Sequence, residues 1–279
     1  MVIDKKITMI QAGAGDCPCF GKEDPMFRVR KSWDDAKSQS GAFSVYENAV
    51  AYADHFQQTV FDDAGRPLYT GIPTMFYMAK LLKAVKGYKK GQTVQVLRGQ
   101  DKRWLIFPEL IEVSKSAIDL TKQCYDAGRK FTKAEAEGWV NGKGFKSATE
   151  YLFWASKYTQ RAYIFQGKKG AWRLIKTMPC GTGSIKDSDA SDPGIYLGTS
   201  TKIWNKGDTT EKYKESPNST WKGPRAYQRW NMHYSSAWGN SIHAGGTGKP
   251  STHGCIALGS KQAEWAYKTL PIKTRVVQY

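Results

Sequence analysis

From residue 151 to the end, the chain is cut into short apolar runs, and this spacing limits the folds open to it. The runs 151–155, 161–165 and 172–178 are too short for helices that cross a domain and suit strands. Gly167-Lys168-Lys169-Gly170 marks a turn between two of them. Further strand-like pieces follow at 194–200, 227–234 and 240–243, then a helical pattern over 262–269 and a last strand over 274–278. Short strands in series, with few helices, predict a sandwich or a curled sheet.

The upstream half has a different texture. Segment 27–33 alternates apolar and polar residues, as a strand with one buried face does. Val45, Ala49, Tyr52, Ala53 and Phe56 recur at helical spacing, with Ser44 as N-cap and Glu47 three residues on. Segments 59–61 and 67–69 flank a Gly-containing turn and read as a hairpin. Met75, Met78, Ala79, Leu82 and Val85 predict an amphipathic, core-facing helix over 74–85. Strands are expected at 93–97 and 104–107, and a helix at 115–124. Thr132 with Glu135 forms a capping-box pattern that opens a helix reaching about Trp139.

The expected fold class is α+β. An irregular segment 1–26 precedes a small strand-helix-hairpin module at 27–70. An intermediate mixed α/β region at 71–131 leads to a mostly β C-terminal domain at 132–279.

The net charge of +17 draws the protein toward polyanions: nucleic acid, anionic membrane surfaces or anionic cell-wall polymers. A solvated basic surface without a dedicated partner is the plainer alternative. Zinc-finger spacing, an RNA-recognition signature and a basic coiled coil are all missing, which argues against a nucleic-acid partner. No apolar run is long enough to span a bilayer, so no transmembrane segment is expected. Residues 1–15 lack the continuous apolar stretch of a secretion signal.

The five cysteines are scattered and odd in number, unlike a disulfide framework. Cys17-Pro18-Cys19 lacks the spacer of a redox or zinc motif, and Cys124 and Cys180 are expected to be buried as small hydrophobes. Cys255 stands apart. It follows Gly254 in Ser251-Thr252-His253-Gly254-Cys255-Ile256, with Ile242-His243-Ala244-Gly245 upstream. A thiol becomes a nucleophile when an imidazole or converging N–H groups favour its thiolate. His253 lies two residues before Cys255, about 7 Å away if the segment is a strand, which is poor geometry for proton transfer. His243 lies further upstream, and the glycine-rich segment 245–250 can double back to bring it beside the sulfur. The amides of His253, Gly254 and Cys255 are candidates to receive a developing oxyanion. A zinc site of His243, His253 and Cys255, with His233 as a fourth ligand, is possible by ligand type but lacks the usual spacing. Neither a metal nor another cofactor is expected.

These two motifs resemble the catalytic domain of the L,D-transpeptidases, of the YkuD type. The resemblance extends upstream to about Tyr151, through Tyr163-Ile164-Phe165, Trp172-Arg173-Leu174-Ile175, Cys180-Gly181-Thr182-Gly183 and Asp192-Pro193-Gly194-Ile195-Tyr196. It implies a nucleophile at Cys255, a base at His243 oriented by the carbonyl of Ala244, and an oxyanion hole at the amides around Gly254. Ser251, Thr252, His253 and Trp238 would bind substrate. The implied reaction is attack on a peptidoglycan stem peptide, release of a terminal D-Ala, and transfer of the acyl group to an amine as a 3-3 cross-link. Transfer to water instead is L,D-carboxypeptidation, and a wall-binding protein of weak activity is a further reading. The implied location is extracellular or in the cell wall. This sequence departs from the family at Ala257, where Arg or Asn is usual, in a shorter His-to-Cys loop, and at Ser191-Asp192-Pro193-Gly194. A sortase-like alternative wants an Arg soon after the cysteine, and Arg275 is too far along. Residues 27–70 also resemble a SPOR-like repeat of Gram-positive cell-wall proteins, whose Arg28, Arg30, Lys31 and Lys37 would meet anionic polymer.

Overall fold

The computed structural model describes residues 26–98, 104–109, 111–185, 201–203, 205–206, 230–234 and 240–279. The expected strand at 194–200, residues 227–229 of that at 227–234, the Cys17–Cys19 pair and Trp238 lie outside them. The chain is α+β, with a curled mixed sheet in its C-terminal part.

Three sheets follow one another. The first holds β1 (Phe27–Arg30), β2 (Gly41–Phe43), β3 (Thr59–Phe61) and β4 (Pro67–Thr70) in the order β2-β1-β3-β4, with α1 (Tyr46–Phe56) packed against it. The α1 N-cap is Val45, one residue beyond the expected Ser44, and it makes no side-chain capping bond. The second sheet holds β5 (Phe76–Leu81), β6 (Thr93–Arg98), β7 (Trp104–Phe107), β8 (Ile111–Val113) and β9 (Ile118–Cys124) in the order β8-β7-β6-β5-β9.

Both helices expected in this region are strands. In 74–85 the buried apolar residues are Met75, Tyr77, Ala79 and Leu81, a period of two, while Leu82 is 48% exposed. The apolar set also fits a helix on paper. The register with β6 on one side and β9 on the other decides for the strand. In 115–124 a single 3-10 turn at Lys115–Ala117 leads straight into β9.

α2 (Lys133–Gly142) opens with the expected capping box: Glu135 N–H donates to Thr132 Oγ1 at 3.2 Å, and Thr132 N–H donates to Glu135 Oε2 at 2.8 Å. The third sheet then forms from β10 (Tyr151–Ser156), β11 (Arg161–Gln166), β12 (Arg173–Gly181), β13 (Thr201–Lys202), β14 (Asn205–Lys206), β15 (Met232–His233), β16 (Ser241–Ala244), β17 (Ile256–Leu258) and β18 (Arg275–Gln278). Its order is β13-β18-β10-β11-β12-β17-β16-β15-β14, and α3 (Ser260–Thr269) packs on β16 and β17.

The central strands are apolar on both faces because each face meets a core. Leu152, Trp154, Tyr163, Phe165, Val277 and Tyr279 belong to one core, which continues into the first two sheets and α2. Phe153, Ala155, Ala162, Ile164 and Val276 belong to the other, shared with Ile242, Ile256, Leu258 and α3. Strand alternation assigns neighbouring residues to opposite cores. On the first face Trp139 of α2 stacks on Trp154 at 4.0 Å between ring centroids, and Trp154 on Tyr163 at 4.7 Å. Such aromatic pairs each add about 0.5–1.5 kcal/mol beyond area burial.

A polar node lies between the segments. Asp54 of α1 is fully buried and forms an ion pair with Lys143, Nζ to Oδ2 2.8 Å. Its carboxylate also accepts from the Tyr69 hydroxyl, from Ile72 N–H at 3.1 Å and from the Tyr279 hydroxyl at 2.6 Å. Burial lowers the Lys143 pKa, with Asp54 opposing. Burial and Asp54 hold Tyr69 and Tyr279 well above the usual phenol range.

Among the described residues, no helix is long and apolar enough to cross a membrane.

Candidate active site

The site lies where β16 and β17 run parallel. Their register pairs Ile242 with Ile256, His243 with Ala257 and Ala244 with Leu258. Ile242, Ala244, Ile256 and Leu258 face the core below α3, so His243, Ala257 and Ser241 face the other way. Extending the register by one residue sets Ser241 beside Cys255. Ser241 Oγ lies 3.9 Å from Cys255 Sγ. His243 reaches the same sulfur and hydrogen-bonds to it. On its far side His243 Nδ1 meets Ala244 O at 2.8 Å, so Nδ1 carries the proton and Nε2 is the nitrogen free to face the sulfur.

The electrostatics draw the two pKa values toward each other. Burial alone raises the Cys255 pKa, but hydrogen bonds from His243 and from the backbone and hydroxyl of Ser241, with the His243 charge, lower it overall. Burial alone lowers His243, while the Cys255 bond and charge and the Ala244 carbonyl raise it overall. Cys255 as a residue is half-buried. The contrast is Cys180: fully buried and pushed far above the ordinary thiol range by desolvation. Cys124 is half-buried rather than buried as expected, and burial raises it.

The approach to Cys255 is a bend, not a strand, so the two-residue spacing of His253 and Cys255 does not put them on one face. His253 and Ser251 are exposed and Thr252 is half-buried. Thr252 Oγ1 donates to Cys255 O at 2.7 Å and accepts from Gly254 N–H at 3.3 Å. The Gly254 N–H is thereby engaged within the loop, leaving the Cys255 N–H as the amide next to the sulfur. Gly254 has φ +125°, a conformation that side-chain residues rarely adopt. A Cβ there would also come within 2.8 Å of Asn240 Nδ2.

The loop is held from behind. Thr182 O accepts from Ser251 N–H at 2.9 Å and Thr252 N–H at 3.1 Å, and Ser184 N–H donates to Thr252 O at 2.9 Å. Gln160 fixes Thr182 in turn, with Nε2 to Oγ1 at 2.9 Å. From β9, Gln123 Nε2 donates to Gly183 O at 3.2 Å.

The structure therefore brings together Cys255, His243, Ala244, Gly254 and Thr252, and leaves Ser251 and His253 at the exposed rim. Among the described residues no three His, Cys, Asp or Glu side chains converge as a metal site. Ser241 is a site residue that the motif reading passed over. It sits two positions before His243 on one strand, so period-two alternation puts both on one face and could have found it. Tyr234, Asn240 and Gln278 meet the site only through tertiary contacts. His55, outside the site, is half-buried against Phe107, and burial lowers its pKa to about 4.

Residues 150–277 match the family model of YkuD, the L,D-transpeptidase catalytic domain. The motifs that resemble this family lie within the matched residues. Among solved structures, similarity is found to a fused Zn-dependent amidase/peptidase/peptidoglycan-binding-domain protein from Clostridium acetobutylicum, at 23% identity and a TM-score of 0.39. That match covers 53% of this chain, which spans 59% of the other. An L,D-transpeptidase from Mycobacterium smegmatis is 17% identical over 47% of this chain and 58% of its own, with a TM-score of 0.36. One from Mycobacterium tuberculosis is 15% identical over 73% and 80%, with a TM-score of 0.34. No curated protein matches.

Proposed function

We propose that the chain is a cysteine-dependent peptidoglycan L,D-transpeptidase acting outside the cell or in the wall. The observation that carries this reading is the Cys255–His243 pair, a half-buried cysteine whose pKa is lowered by an imidazole that the Ala244 carbonyl orients. The family match supports the substrate class.

In this reading the Cys255 thiolate attacks the carbonyl carbon of the donor stem's scissile amide. The carbonyl electrons move to oxygen, where the Cys255 N–H donates to it. His243 passes its proton to the departing amine as the C–N bond breaks, so a D-amino acid leaves and a thioester remains. His243 then takes a proton from an acceptor amine, which attacks the thioester and frees the thiolate as a 3-3 cross-link forms. Water in place of the amine yields the L,D-carboxypeptidase product from the same thioester. Thr252, Ser251, His253 and Trp238 bind the stem, and the basic surface favours anionic wall polymers.

Intact-protein mass after incubation with tetrapeptide stem or a carbapenem tests the assignment. A mass increase is expected, lost on Cys255→Ala. An adduct that survives in Cys255→Ala refutes the nucleophile.

A further inference from the structure

The peptide that joins Gly254 to Cys255 is anchored from inside the domain. Tyr234 OH donates to Gly254 O at 2.6 Å, and Gln278 Nε2 donates to the same oxygen at 3.3 Å and to Tyr234 Oη at 2.5 Å. Both side chains are buried, Tyr234 at 4% and Gln278 at 6% exposure. They come from different parts of the sheet: Tyr234 directly follows β15, and Gln278 ends β18 on the side of Val276, which faces the α3 core. The peptide unit is planar and trans, so its C=O and N–H point in opposite directions. A carbonyl drawn inward by two buried donors turns the Cys255 N–H outward, away from the core. The neighbouring amide is not available for the same task, because Gly254 N–H is directed to Thr252 Oγ1.

We infer that Tyr234 and Gln278 are positioning residues that aim the Cys255 N–H at the oxyanion of the acyl-transfer step. This deepens the transpeptidase reading and rests on it. Neither residue touches substrate; they act through the orientation of one peptide plane. Glycine at φ +125° leaves the backbone freedom to turn, so the orientation of this plane falls to the groups bonded to its carbonyl.

Two reactions of the same sulfur separate this role from a structural one. Alkylation by iodoacetamide needs the thiolate but develops no oxyanion. Acylation by a tetrapeptide stem or a carbapenem needs both. In Tyr234→Phe, and in Gln278→Met as a volume-conserving second variant, the alkylation rate and its pH profile should stay within about twofold of the parent. The maximal acylation rate should fall about 10- to 100-fold, with the half-saturating donor concentration little changed, as expected for a misaimed oxyanion donor. Circular dichroism and a thermal melt identify a variant that fails to fold, and the other variant then carries the test. Equal losses in both reactions, or no loss of acylation in a folded variant, overturn the positioning role and leave the transpeptidase reading intact. A parent protein that is alkylated but never acylated by either donor overturns the reading and the positioning role together.

Discussion

Two buried polar clusters in this chain are built from similar parts and hold opposite prospects. At Asp54 a charged pair is enclosed by two tyrosine hydroxyls, a backbone N–H and a lysine, all within the fold. At Cys255 the pair is supported by Ser241 and the Ala244 carbonyl, and the residue is half-buried. Both clusters shift pKa values. The shift therefore does not distinguish a reactive group from a structural one. What differs between them is enclosure: Asp54 is fully buried, whereas Cys255 is half-buried.

The largest test of this contrast is His243→Ala. Acylation of Cys255 should fall about 10²- to 10⁴-fold, the range of a general acid–base group, with little change in the unfolding midpoint. Retained acylation would mean that the imidazole is not the proton carrier. Asp54→Ala should do the reverse. It leaves Lys143 buried without its partner, and urea titration should show a loss of about 3–5 kcal/mol. Protein that remains folded should be alkylated at Cys255 at close to the parent rate. A parallel fall in reactivity would show that the two clusters are linked.

The pH dependence sharpens the comparison further. With Cys255 lowered and His243 raised, alkylation should rise with pH through the lowered thiol pKa, at a pH below that of an ordinary cysteine. Acylation also needs the His243 proton, so it should fall again above the raised imidazole pKa and trace a bell. Ser241→Ala should move the rising limb of both profiles to higher pH, by a few tenths of a unit to one unit. A limb that does not move would assign the lowered thiol pKa to His243 alone.

The smallest effect concerns His55. Its folded pKa of about 4 lies below the ordinary 6.5, so the unfolded chain binds more protons between those values. Stability should rise with pH across that window and be lost as pH falls through it. Since the ring is part-exposed, the change should be about 1–2 kcal/mol after solvent screening. His55→Leu should flatten that slope in urea titrations at pH 4 and 6.5.

The proximity of Cys255 and His243 was legible because the motif packs them into one short stretch, with glycines where the chain must turn. The α2 start was legible because a capping box is local chemistry between residues three apart. Segment 74–85 was misread because its apolar residues satisfy two periods at once. Only pairing with β6 and β9, through residues up to 124, selects one. For the same reason Tyr234 and Gln278 left no trace in the sequence. The separation between Gln278 and Gly254 is closed by β18 entering the sheet parallel to β10, and nothing local announces that. The Asp54–Lys143 pair lies still further apart in the chain.

The end of the last strand and the residue after it serve different masters. Gln278 reaches through one side of the sheet to Gly254, while Tyr279 reaches through the other to Asp54 of the N-terminal helix. A sideways slip of one residue in that strand would swap these destinations, sending the amide toward the carboxylate and the phenol toward the reactive loop. Registration of a single edge-proximal segment thus governs both how the halves of the molecule cohere and how its reactive peptide is presented.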